Sequence, residues 1–148
     1  MKPSNIILAI LVLLSGGFFV YSLMGSKSVQ APPANVSQLG SRTSGEGSVE
    51  VVVQPRDLSE KNGVWALDVT LDTHSGDLAD DMAKVSALAD KNGKTYPPLA
   101  WEGDPPGGHH RNGTLTFAPL SPRPDLITLV IRDVGGVSER KFTWTLSE

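Results

Sequence analysis

A seven-stranded antiparallel sandwich of immunoglobulin-like architecture, set behind an apolar leader, is the all-β fold this sequence predicts. Three observations lead there. Short segments after residue 47 alternate apolar and polar side chains with a period of two, the spacing of a half-buried strand. Asn-Gly, Pro-Pro and Gly-Gly pairs punctuate those segments at the intervals of an all-β domain. Of the 148 residues, those from 48 onward are one domain's worth of chain.

The leader comes first. Lys2 precedes residues 6–24, a stretch of 19 without a charge, broken only by Ser15, Gly16, Gly17 and Ser22. As a helix rising ~1.5 Å per residue it spans ~28 Å, about one bilayer core. Phe18, Phe19 and Tyr21 stand near its outer end, where amphipathic rings settle. Residues 1–24 therefore read as an N-terminal transmembrane anchor. A cleaved signal peptide with residues 6–14 as its apolar core is the competing reading, and either one leaves the body outside the cytoplasm. Residues 25–47 are rich in Ser, Gly and Pro, without an apolar period. They are expected to form a disordered linker reaching ~25 Å.

The body begins at residue 48. Val49, Val51 and Val53 alternate with Glu50 and Gln54, and Asn62-Gly63 makes a turn. Trp65, Leu67, Val69 and Leu71 then face one way while Asp68 and Thr70 face the other. Residues 82–88 are expected to be a strand, entered through one helical turn at 77–81. The strand forms a hairpin through Asn92-Gly93 with Lys94-Thr95-Tyr96. Pro97-Pro98 ends that hairpin and Trp101 opens a long loop. Residues 114–117, 127–131 and 141–146 complete the strands, the last two joined by a turn at Gly135-Gly136.

Composition narrows the function. A net charge of −3 offers no basic footprint for phosphate, so nucleic acid is not an expected partner. With no cysteine there is no disulfide, thiolate metal site or cysteine nucleophile. Neither G-x-S-x-G nor H-E-x-x-H occurs, and the expectation is a protein without catalytic activity.

Two segments carry what chemistry remains. One runs Asp72-Thr73-His74-Ser75-Gly76-Asp77; the other runs from Trp101 through Gly107-Gly108-His109-His110 to Arg111. Neutral imidazole binds copper and zinc, so His74, His109 and His110, with Asp77 as an oxygen donor, are candidate metal ligands. Against this, neighbours on an extended chain face opposite ways, so His109 and His110 seldom share an ion. That leaves two imidazoles, fewer than the three protein ligands a zinc site ordinarily has. Trp101 and Arg111, residue types that anchor protein contacts, are the candidate surface for a partner in the envelope. Asp68, Asp72, Asp77, Asp80 and Asp81 fall within 14 residues but lack the D-x-[DN]-x-[DN]-G calcium pattern, and read as a solvated acidic turn.

Taken together, D-T-H-S, W-E-G-D-P-P-G-G-H-H-R-N-G-T-L-T-F and L-V-I-R-D-V-G-G resemble a group of uncharacterised prokaryotic envelope-anchored β-sandwich domains. These carry a W-x-G…G-G-H-H…G-x-L-x-F segment behind an N-terminal apolar helix. The resemblance spans about residues 68–144. It implies an envelope location, a β head, and that Trp101, His109 and His110 belong to one feature. The expectation is thus a non-catalytic, extracytoplasmic binding module, anchored in the cell membrane through residues 6–24. A copper- or zinc-binding domain is the alternative.

Overall fold

Strict alternation of buried and exposed side chains builds the body. In the computed structural model, which describes residues 39–146, β2 (Val49–Pro55) buries Val49, Val51 and Val53, and β3 (Trp65–Thr73) buries Trp65, Leu67, Val69 and Leu71. Together with β1 (Arg42–Ser44), β6 (Ala100–Gly103) and β7 (His110–Phe117) they form a five-stranded antiparallel sheet in the order β1-β2-β3-β7-β6. A four-stranded antiparallel sheet, β5-β4-β8-β9, is made by β4 (Ser86–Asp90), β5 (Thr95–Tyr96), β8 (Leu126–Val134) and β9 (Val137–Thr145). The inward residues of both sheets join in one core, with Leu88, Leu129, Ile131, Phe142 and Trp144 opposing the valines and leucines of β2 and β3. Each fully buried Leu, Val or Phe contributes roughly 1.5–3 kcal/mol relative to exposure. That burial, with no cross-link, is what holds the sheets together.

The all-β expectation with two antiparallel layers is met, and the details differ in four places. There are nine strands among the described residues instead of seven. The extra ones are short: β1 has three residues and β6 four, too few for a period to register. The linker expected over 25–47 includes β1, whose Arg42, Thr43 and Ser44 pair with Val53, Val52 and Val51. Residues 82–88 open with a helical turn, α1 (Met82–Val85), where a strand was expected, and the turn expected over 77–81 therefore lies further along the chain. Its cap explains the shift, because the Asp81 carboxylate accepts from Ala83 N at 3.2 Å. Finally, Trp101 lies within β6, and β7 starts at His110 instead of Thr114. The Asn92-Gly93 hairpin stands as expected, with Leu88 opposite Tyr96. The proposed transmembrane segment and the linker up to residue 38 lie outside the described residues. Among the described residues no helix is long and apolar enough to cross a membrane.

Register gives the body two poles. Val49 pairs with Thr73, and Ser48 N donates to Gly135 O at 3.1 Å. The turns at 45–48 and 135–136 therefore share one pole with the connections 74–81 and 104–109. Chain entry is at the other: Gln54 Nε2 donates to Leu39 O and Trp144 Nε1 to Gly40 O. The last described residue, Leu146, lies at that second pole as well, bonded through its N–H to Asp125 O.

Candidate functional site

The two histidine-bearing connections do meet, at the pole away from chain entry, and backbone hydrogen bonds join them. Leu78 N donates to Gly108 O at 3.0 Å and Gly107 N to Leu78 O at 2.8 Å, while Thr73 N donates to His109 O at 2.9 Å. Gly107 and Gly108 both have positive φ (119° and 79°), which glycine adopts without the clash a Cβ brings. The Asp77 carboxylate closes the clasp by accepting from Gly108 N at 2.5 Å.

Arg111 is the hub of this clasp. Parity explains it: with β7 beginning at His110, Arg111 shares the inward face with Leu115 and Phe117, and it is 1% exposed. Its Nη1 donates to the carbonyls of Leu78 (2.9 Å) and Asp80 (2.7 Å), and Nη2 to that of Asp104 (3.3 Å). The Trp101 ring centroid is 5.4 Å from the guanidinium carbon, within cation–π range. Trp101 Nε1 in turn donates to Asp104 O at 2.9 Å. Arg111, expected at a partner-binding surface, is therefore corrected to a buried residue that holds the loops. Trp101 is half-buried and packs on the core edge.

The candidate metal ligands separate. His110 faces outward and donates from Nδ1 to Asp72 Oδ1, its direct neighbour across β3 and β7. His109 enters the clasp through its backbone carbonyl, with its side chain exposed, and His74 is exposed on the bend after β3. Asp77 is turned to the Gly108 amide. Among the described residues no group of three or more His, Cys, Asp or Glu side chains is arranged to hold a metal ion.

The run of aspartates disperses in the same way. Asp68 accepts from Arg56 Nε at 2.8 Å and from Thr114 Oγ1 at 2.7 Å. Burial pushes its carboxyl up, but these hydrogen bonds and the Arg56 charge outweigh that and hold it below the usual range. Asp81 caps α1 and pairs with Lys84 at 3.0 Å.

A second buried arginine escaped the sequence reading. Arg140, 2% exposed, shares the inward face of β9 with Phe142 and Trp144. Its Nη1 donates to Ser44 O (3.2 Å) and Ser44 Oγ (2.7 Å), and Nη2 to Glu46 O (2.6 Å) and Val134 O (3.4 Å). Burial lowers its basicity, partly offset by the Glu46 charge. Both arginines, one on each sheet, thus tie down loops of the same pole with backbone carbonyls. A charged residue at an inward parity position was the available signal for each.

No protein-family model, curated protein or solved structure matches this chain.

Proposed function

We propose that this chain is a non-catalytic binding module, anchored in a cell membrane by residues 6–24, with its β head outside the cytoplasm. The observation that carries the binding reading is the pair of buried arginines. Arg111 and Arg140 fix the loops of one pole with seven hydrogen bonds to the main chain and to Ser44 Oγ, and Leu39 enters at the opposite pole. Loops held rigid before binding lose less entropy on contact, and this pre-organisation is what a recognition surface needs. The surface so presented carries exposed His74, His109 and Asp77 beside half-buried Trp101. The head itself reads as an immunoglobulin-like sandwich enlarged to nine strands, a scaffold whose end loops ordinarily carry recognition. The uncharged run of residues 6–24 and the resemblance to envelope domains support the anchor and the location.

The natural absence of cysteine makes the test direct. A single cysteine replacing exposed Ser75 is expected to react with a membrane-impermeant maleimide in intact cells; reaction only after lysis sinks the location. A photo-crosslinking residue at Ser75 is expected to give a discrete adduct that the same residue at Lys61, on the entry pole, does not. Equal adducts at both positions, or none at Ser75, sink the proposed recognition pole.

A further inference from the structure

Residues 39–46 form a strap across the side of the sandwich, and both sheets grip it. From the five-stranded sheet, Gln54 Nε2 donates to Leu39 O at 2.7 Å and β1 pairs with β2. From β9, Trp144 Nε1 donates to Gly40 O at 2.8 Å and Arg140 binds Ser44 and Glu46. The strap reaches back through Arg42 Nε to Thr143 O at 3.3 Å. Its own side chains add little: within it only Leu39 and Ser44 are even half-buried. β9 is the outermost strand of its sheet, and a cleft of about 510 Å³ is lined by residues 43–46 on one side and by Glu139, Arg140 and Lys141 on the other. No backbone ladder joins the strap to β9.

We infer that two copies of this chain exchange residues 39–44 reciprocally, each β1 lying against the other copy's β2 and β9. The occupant follows from the grips. The body holds the strap mainly through its backbone carbonyls and the Ser44 hydroxyl, so the strap of a second copy satisfies the same donors. A swapped element that repeats its own contacts costs little beyond its hinge. The hinge is at hand in Gly45-Glu46-Gly47. A Cβ on Gly45 would have its nearest neighbour, Glu50 Oε2, at 3.9 Å, whereas Gly47, at φ +65°, is packed against Gly135 and Val137 and ends the pivot. Ser48, bonded to Gly135 O, fixes the far side of the pivot. On the strap itself, release uncovers no large apolar side chain but Leu39.

The test uses the full chain in excess detergent. Thr43 and Val52 are direct partners across β1 and β2, whereas Thr70 and Asn112 are partners across β3 and β7, wholly within the body. Oxidation of the double variant T43C/V52C is expected to give a covalent dimer joining differently tagged copies. Its ratio to the internally closed monomer should rise with concentration, about tenfold for a tenfold rise while the dimer is the minor product, as mass action requires. T70C/N112C is expected to close only within one chain. Monomeric product alone from T43C/V52C, or equal dimer from both pairs, overturns the exchange. Deleting Gly45 and Glu46 shortens the hinge so that the strap no longer reaches its own body. Light scattering should then find a folded dimer, and a folded monomer overturns the proposal independently of cross-linking.

Discussion

The guanidinium of Arg111 lies 5.4 Å from the Trp101 ring centroid while donating to the carbonyls of Leu78 and Asp80. One side chain therefore couples an edge strand to a connection more than 20 positions away in sequence. Leu78 O also accepts from Gly107 N, and Asp104 O from Trp101 Nε1, so removal of Arg111 strands chiefly the Asp80 carbonyl. Arg111→Met is accordingly expected to cost about 1–3 kcal/mol, the penalty for one unsatisfied buried group. The drop should appear as an earlier urea midpoint. Arg111→Lys should recover little, because an ammonium lacks the planar fork that spans these acceptors. Unchanged stability in both variants would mean that Arg111 does not hold these loops.

Gly113 sits beneath the same indole. A Cβ built there would press into the Trp101 ring, 2.6 Å from Cη2, and the paired Gly103 leaves the backbones in close approach. Gly113→Ala should displace the ring, cost about 1–3 kcal/mol as an overpacked site does, and shift the tryptophan emission. Gly63→Ala, with nothing within 4 Å of the added carbon, is the control expected to leave the emission unchanged.

What could be read in advance follows the length of the pattern. β3 announces itself because its nine residues alternate in a row, and β2 does so but for Val52, an apolar residue on the outer face. β1 and β6 are edge strands of three and four residues that take their register from a longer neighbour, as Arg42 does from Val53 and Trp101 from Leu115. Residues 82–88 read as a strand because the Asn92-Gly93 turn follows them, although Met82, Val85 and Leu88 also fit helical spacing, and the Asp81 cap makes the first turn helical.

The site followed the same logic. Trp101, His109 and His110 were expected to belong to one feature with Arg111 beside them, but which way each side chain points depends on where β7 begins. A boundary moved from Thr114 to His110 assigns His110 to the outer face beside Asp72 and Arg111 to the core. Parity along one strand converts a presumed contact residue into an internal fastener.

The true start of the folded body has a measurable consequence. A fragment beginning at residue 39 keeps every grip on the strap, whereas one beginning at 48 deprives Arg140 of Ser44 O, Ser44 Oγ and Glu46 O, leaving only Val134 O. A buried cation stripped of most of its partners costs about 3–5 kcal/mol. The shorter fragment is therefore expected to melt well below the longer one, by calorimetry, or not to fold. Equal melting temperatures would mean that residues 39–47 contribute nothing to the body.

Acid should act first through the outer face of the larger sheet. Asp68 is subject to burial, which raises its pKa, and to the hydrogen bonds of Arg56 and Thr114, which lower it by more, so its folded value lies below the unfolded one. A depressed carboxylate contributes stability that is complete above its unfolded pKa, near 4. That contribution is lost as pH falls through the folded value, because the unfolded chain then binds more protons. Asp90 is held low in the same direction: burial opposes, and the amides of Asn92 and Lys94 with the Tyr96 hydroxyl prevail. Denaturation midpoints measured between pH 7 and pH 2 should thus fall on the acid side, and Asp68→Asn should flatten that fall while lowering the plateau at neutral pH. Since the Asp68 side chain is 41% exposed, solvent screens the pair and the change should stay within the range of surface ion pairs. An acid limb of unaltered slope in Asp68→Asn would show that the Arg56–Asp68–Thr114 cluster does not set the pH dependence.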